Sequence, residues 1–168
     1  MRLARVMAGV LMAAVSVCAD AAGKKNIING FALRLEASQS AVKPSTLVWK
    51  AGTTVSLLVT AINNSERTVH YGLTNPGFDW GIDVRDESGK PVPETEEFRK
   101  MKQSGSFAVG RTILITLKPH ETSQDTIEVS YLYDLRSSGK YCIQVRREFP
   151  EVGKGFVESN RLDITIEQ

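Results

Sequence analysis

The stretch Tyr131–Val145, YLYDLRSSGKYCIQV, decides how this chain is read. It reads as a turn that delivers the backbone into a central β-strand. Gly139 stands just before that strand and takes a positive φ without the penalty a Cβ would bring. Tyr141, Ile143 and Val145 then alternate with Cys142, Gln144 and Arg146, the period of a strand with one buried face. On this register Cys142 points outward.

Working outward, the same period recurs on both sides. Phe31, Leu33, Leu35 and Ala37 alternate with Arg34 and Glu36, and Val55–Ile62 is apolar on both faces in part, as a central strand would be. Val69–Leu73 is a brief strand. Phe78, Trp80, Ile82 and Val84 alternate with Asp79, Gly81, Asp83 and Arg85. Thr112–Leu117, the Ile127 and Val129 pair, and Leu162–Ile166 complete the set. Between them lie turn compositions at Asn63-Asn64-Ser65-Glu66, Asn75-Pro76-Gly77, Glu87–Lys90 and Lys118–Glu121. Ser38–Gly52 is turn-rich, and Arg147–Asn160 reads as a long loop holding Pro150, Gly153 and Gly155. Pro91–Ser106 finds no place in the sheet; Glu94–Lys102 suits one or two helical turns with Phe98 and Met101 at i, i+3. The expectation is an all-β, antiparallel immunoglobulin-like β-sandwich of about seven or eight strands.

The G-x-Y-x-hydrophobic run at Gly139–Ile143 resembles the tyrosine corner of immunoglobulin-like sandwiches, in which the Tyr hydroxyl bonds back to the upstream backbone. Gly139, Tyr141 and Trp80 are therefore the candidate structural residues.

The first residues carry a different signal. Arg2 and Arg5 precede an uncharged apolar run, Val6–Val17, and Ala19-Asp20-Ala21 follows Cys18. That is the anatomy of a secretory signal peptide, with an h-region too short to span a bilayer. Residues 1–21 are read as the signal peptide and 22–168 as the sandwich domain, cleaved after Ala19 or Ala21 and exported to the periplasm or beyond. Lipidation of Cys18 is the lesser reading, because Val17 stands where lipoprotein signals place a small residue. No later stretch is apolar enough to cross a membrane.

The formal charge of +2 falls to 0 once Arg2 and Arg5 are removed, or to +1 if Asp20 goes too, so charge gives no argument for nucleic acid. With 7% aromatic residues there is no evident stacking platform either. Removing Cys18 leaves Cys142 alone. A lone outward thiol in an oxidising compartment is placed for an intermolecular disulfide. The other reading, favoured because free cysteines are usually buried, is that a neighbouring loop covers it.

The motif census does not point to catalysis. His70 and His120 lie far apart, and no H-E-x-x-H, C-x-x-C or G-x-S-x-G occurs. Asp79, Asp83, Asp86 and Glu87 read as a solvated acidic face rather than a calcium site. No metal or other cofactor is implied. The candidate binding residues are Phe149, Pro150, Val152 and Phe156 in the long loop, with Phe98 and Met101 beside them; the same side chains could instead plug the core. Asn63-Asn64-Ser65 matches a glycosylation sequon.

VSLLVTAINNSERTV (Val55–Val69) followed by FDWGIDVRDESGKPV (Phe78–Val92) resembles the core of a bacterial proteinase-inhibitor sandwich family, within the broader group of exported bacterial immunoglobulin-like domains. TLKPHETSQ (Thr116–Gln124) is similar to that family's L-x-P-G-E turn, with His120 where Gly is usual, and Pro93-Glu94-Thr95 replaces its Trp-rich continuation. YLYDLRSSGKY also resembles the late strand entry of the sandwich prefix of certain fungal zinc endopeptidases, without their catalytic domain. The resemblance implies proteinase inhibition; the residues themselves are read as a non-catalytic module that binds a protein partner through its loops, with proteinase inhibition or a structural envelope role as alternatives.

Overall fold

The computed structural model describes residues 27–38, 47–105 and 111–168. The signal segment, Cys18 and both cleavage positions lie outside the described residues. Two sheets pack face to face. The first orders β1 (Phe31–Ala37), β3 (Ser56–Asn63) and β7 (Thr122–Glu128), all antiparallel. The second orders β2 (Val48–Lys50), β10 (Leu162–Glu167), β8 (Gly139–Glu148) and β5 (Gly81–Asp86), with β9 (Phe156–Glu158) also on β8. β4 (Val69–Leu73) and β6 (Ile113–Leu117) form a two-stranded antiparallel sheet. The protein is an immunoglobulin-like β-sandwich, and Leu35, Leu57, Val59 and Ile127 of one sheet meet Val84, Ile143, Val145 and Ile164 of the other in a core where each is 2% exposed or less.

β8, ten residues long, is the central strand of its sheet, pairing with β10, β5 and β9. Tyr141, Ile143 and Val145 are all buried, and the Tyr141 hydroxyl donates to the Ser137 carbonyl at 2.7 Å. Gly139 has φ +154° with open space where a Cβ would stand, so backbone conformation and not crowding asks for glycine there. Cys142 does point to the outer face, opposite Arg85 and Asp163, yet it is only 8% exposed. That enclosure gives no support to an intermolecular disulfide.

Several local expectations are corrected. Phe78 and Trp80 do not begin a strand: Pro76–Asp79 is a helical turn, α1, and β5 starts only at Gly81. Asn75 caps α1 by accepting from the Gly77 N–H, and Asp79 accepts from the Thr74 and Asn75 N–H groups at 2.6 and 2.7 Å. These local bonds outcompete a two-residue alternation. Val129 likewise leaves the strand to open α3 (Val129–Leu132). The Ser38–Gly52 stretch contains β2, which runs parallel to β10, the one departure from antiparallel pairing among the described strands. Arg147–Asn160 is not a long loop: Arg147 and Glu148 belong to β8, which folds back through a turn to pair with β9. Ten strands occur among the described residues where about seven or eight were expected. The Glu94–Lys102 expectation corresponds to α2 (Glu96–Ser104), capped by Thr95 and ended by Gly105. No helix among the described residues is long and apolar enough to cross a membrane.

Side-chain bonds join the two sheets on both flanks. On one, Trp80, 3% exposed, donates from Nε1 to Asp125 of β7 at 2.9 Å, and α1, α2 and α3 occupy the side between edge strands β5 and β7. On the other, Asn160 behaves as a piece of strand: its amide oxygen accepts from Leu35 N–H at 2.8 Å and its Nδ2 donates to the Leu35 carbonyl at 3.0 Å.

Asn63 closes the corner where β3 leaves its sheet. It is 0% exposed, Nδ2 donates to the carbonyls of Arg67, Leu117 and Lys118 at 2.8–3.1 Å, and Oδ1 accepts from the N–H and hydroxyl of Ser65. The sequon reading therefore fails, since the amide nitrogen is enclosed and committed. The Asn63 carbonyl also accepts from His120 N–H at 2.7 Å, which holds His120 at φ +65°. An L-residue there carries a penalty of about 1–2 kcal/mol, against about 0.5–1 kcal/mol of extra chain entropy lost by glycine. His120→Gly is expected to raise stability by about 0.5–1 kcal/mol, read as a higher urea midpoint at unchanged slope. A lowered midpoint would mean that the contact of His120 with Glu66, 3.6 Å away and exposed, outweighs the backbone term.

Candidate functional site

Two cavities flank α2. On one side a groove of about 310 Å³ is lined by Gly77 and Phe78 of α1, Met101 of α2, Ile127 and Glu128 of β7, and Tyr131 and Leu132 of α3. Phe98, the buried residue of α2, packs its ring 5.1 Å from that of Phe78 and so fixes the groove's floor against the core. Gly77 belongs here for want of room: a Cβ would stand 2.9 Å from Leu132 Cδ2. Tyr131 is 46% exposed, and Met101 is half-buried with a flexible thioether able to adapt to what enters.

On the other side lies a wider polar cleft of about 600 Å³, walled by the Gly52–Thr54 turn, Glu94–Glu97 and Tyr133–Arg136. Several of its ionic groups are engaged in ion pairs. Arg136 forks onto Asp134 at 2.6 and 2.7 Å, and Lys102 meets Glu94. Burial, assisted by the carboxylates of Glu94 and Asp83, pushes the Tyr133 hydroxyl up to about 12. It is therefore a neutral donor near pH 7, spent on the Ile82 carbonyl at 2.7 Å rather than on proton transfer.

The residues singled out from sequence are not brought together. Phe149, Val152 and Phe98 are 1%, 4% and 4% exposed and belong to the core, which corrects their reading as contact residues. Phe149 ends inside an aromatic cluster, 4.5 Å from the Phe31 ring, 5.2 Å from Tyr71 and 6.4 Å from Trp80. Pro150 is exposed and Phe156 is 43% exposed, its ring under the Arg146 guanidinium at 4.8 Å; both sit on the β8–β9 hairpin and line neither cavity. Met101 alone of the six lines the groove.

The acidic run is dispersed: Asp79 accepts from the Thr74 and Asn75 N–H groups, Asp83 pairs with Arg85 at 2.8 Å, and Asp86 accepts three bonds from Ser88 and Lys90. Among the described residues no three His, Cys, Asp or Glu side chains converge to hold a metal. His70 meets Glu151, whose carboxylate accepts from the His70 N–H and ring nitrogen at 2.7 and 3.2 Å and is held below its usual range chiefly by that backbone bond.

Sequence reasoning missed Arg147 altogether. Its guanidinium lies 5.2–5.7 Å from the rings of Tyr71, Trp80 and Phe149, and Nη2 donates to the Gly72 carbonyl. Burial pulls its pKa down against the opposing pull of Asp79, and Nη1 is enclosed without a hydrogen-bond partner. A charge in this cage reads as structure, since aromatic faces substitute for water on three sides.

No family model matches the chain, and no curated protein matches it. Among solved structures it is similar to the C-terminal domain of wzt, at 13% identity over 83% of this chain and 75% of that one, with a TM-score of 0.45. It is similar to the seventh PapD-like domain of human CEP192 at 11% identity over 100% and 96%, TM-score 0.32. BslA, a bacterial hydrophobin, is matched at 10% identity over 84% and 98%, TM-score 0.35.

Proposed function

We propose that this protein is an exported, non-catalytic binding module that accepts an apolar side chain of a protein partner in the groove between α1, α2 and α3. The observation carrying the reading is the pairing of Met101 and exposed Tyr131 over a groove floored by Phe78. At about 310 Å³ it lies at the lower limit of cofactor-sized pockets, so one or two side chains of a docked segment fill it where a cofactor would not. Aromatic and methionine side chains around a small apolar depression are the usual makings of an interaction anchor. Export rests on the basic, apolar and small-residue order of residues 1–21.

The test places a photoactivatable cross-linker at Met101, and separately at Pro150, in native protein exposed to an envelope extract. A discrete adduct is expected from Met101 only, lost when Tyr131 is changed to Glu in a protein of unchanged melting temperature. Equal labelling from both positions would overturn the groove. A protease in the adduct, blocked at stoichiometric amounts, would move the assignment to inhibitor, and no adduct from either position would leave a structural envelope role.

A further inference from the structure

Among the described residues most strand edges of the sheets are protected. The Leu35 N–H and C=O on the outer edge of β1 are taken by the Asn160 amide. On the outer edge of β4, Glu151 accepts from His70 N–H and Arg147 donates to the Gly72 carbonyl. β5 is continued by the Pro91–Val92 segment, where Val92 N–H bonds Val84 C=O at 2.9 Å. β7 carries Asp125 and Glu128 and has α1 beside it, and β2 is three residues long. These are the usual means by which a sheet avoids pairing with another chain.

β6 has none of them. Its sequence ILITL carries no charge and no proline, and Ile113 and Leu114 are 60% and 68% exposed. Because His70 and Gly72 turn their backbone groups away from β6, antiparallel alternation leaves the N–H and C=O of their opposite residues, Thr116 and Leu114, on the outer edge of β6. Among the described residues β6 pairs with β4 alone.

We propose that this edge pairs with the same edge of a second copy of the chain, strand antiparallel to strand. A backbone edge that no described residue pairs calls for another strand, and the absence of charge is what makes an identical strand acceptable, since an edge bearing either sign would repel its own copy. A two-fold axis at Leu114 sets Leu114 against Leu114, Ile113 against Ile115 and Thr112 against Thr116. Arg111 then opposes Leu117, so no like charges meet. The pairing is self-limiting, because a two-fold contact uses up the β6 edge of both copies.

Sedimentation of the mature chain from about 10 µM to about 1 mM should show a monomer passing to a dimer. Backbone amide exchange should slow at Leu114 and Thr116 as concentration rises. Thr116→Pro, which removes an outward N–H and none of the β4 ladder, and Leu114→Lys, which sets lysine against lysine, should each weaken the dimer at least about tenfold. Their melting temperatures in dilute solution should match the parent's. A monomer throughout the range, a dimer unaffected by both changes, or open-ended assembly would each overturn the proposal.

Discussion

Replacing Phe149 with Ala is expected to lower stability by about 4 kcal/mol, the usual cost of deleting a fully buried aromatic ring together with the cavity it leaves. For a domain of this size that corresponds to a fall in melting temperature of roughly 8–16 °C. The ring is 1% exposed and touches Phe31, Tyr71 and Trp80, which come from three different strands or their approaches, so no local adjustment refills the space. It also forms one wall of the cage around Arg147, and its loss leaves that guanidinium beside a void. Phe156→Ala, a few residues further along the same hairpin, should change stability by no more than about 0.5 kcal/mol, because that ring is 43% exposed. Urea unfolding of the two variants side by side decides the matter. Equal, small shifts would mean that Phe149 lies outside the core and would return it to the candidate contact residues.

Asn63→Ala is expected to cost about 3 kcal/mol. Nδ2 serves three carbonyls at once with two hydrogens, so at least one bond is shared, and alanine leaves them unserved in a site 0% exposed to water. Asn63→Asp should be worse near pH 7, since it sets an acceptor-only carboxylate against three carbonyl oxygens. Its folded pKa must lie above the unfolded value of about 3.9, so the folded form holds its proton longer and the deficit grows as pH rises through that interval. Midpoints measured near pH 4 and pH 7 should therefore diverge from the parent mainly at the higher pH. A parent-like Asp variant at pH 7 would show that the corner is held by the backbone bonds to Glu121 and His120 without the side chain.

Where residues alternate for long enough, the architecture was legible in the sequence. β8 and β10 announce themselves through Tyr141–Val145 and Leu162–Ile166, and the Asp86–Lys90 turn through its Gly89 and its self-bonding Asp and Ser. Phe78–Val84 shows the limit. Its alternation fits a strand, but Pro76 after a capping Asn75 is a helix start, and the local bonds prevailed over two apolar residues of pattern. Arg147–Asn160 failed for the opposite reason, because a hairpin of three-residue arms offers too little period to read.

The candidate site was the less legible part. Met101 was singled out, but Phe78 and Tyr131 come from segments 23 and 30 residues away on either side, and nothing in sequence spacing signals that they meet. Exposure misled in the same way: Phe149 and Phe156 look alike as aromatics in a Gly- and Pro-containing stretch, yet one is core and the other surface.

By itself, then, the sequence determined an all-β sandwich with a central strand at Tyr141–Val145, because a two-residue period is a local property that one buried face imposes on its own strand. Only the tertiary structure decided which apolar side chains are walls of the core, which line a groove, and which strand edge is left bare. Those outcomes depend on what other segments bring alongside: Asn160 reaching Leu35, Glu151 and Arg147 reaching β4, and nothing among the described residues reaching the outer edge of β6. Burial and edge protection are properties of neighbours, and neighbours here lie as far as 125 residues apart.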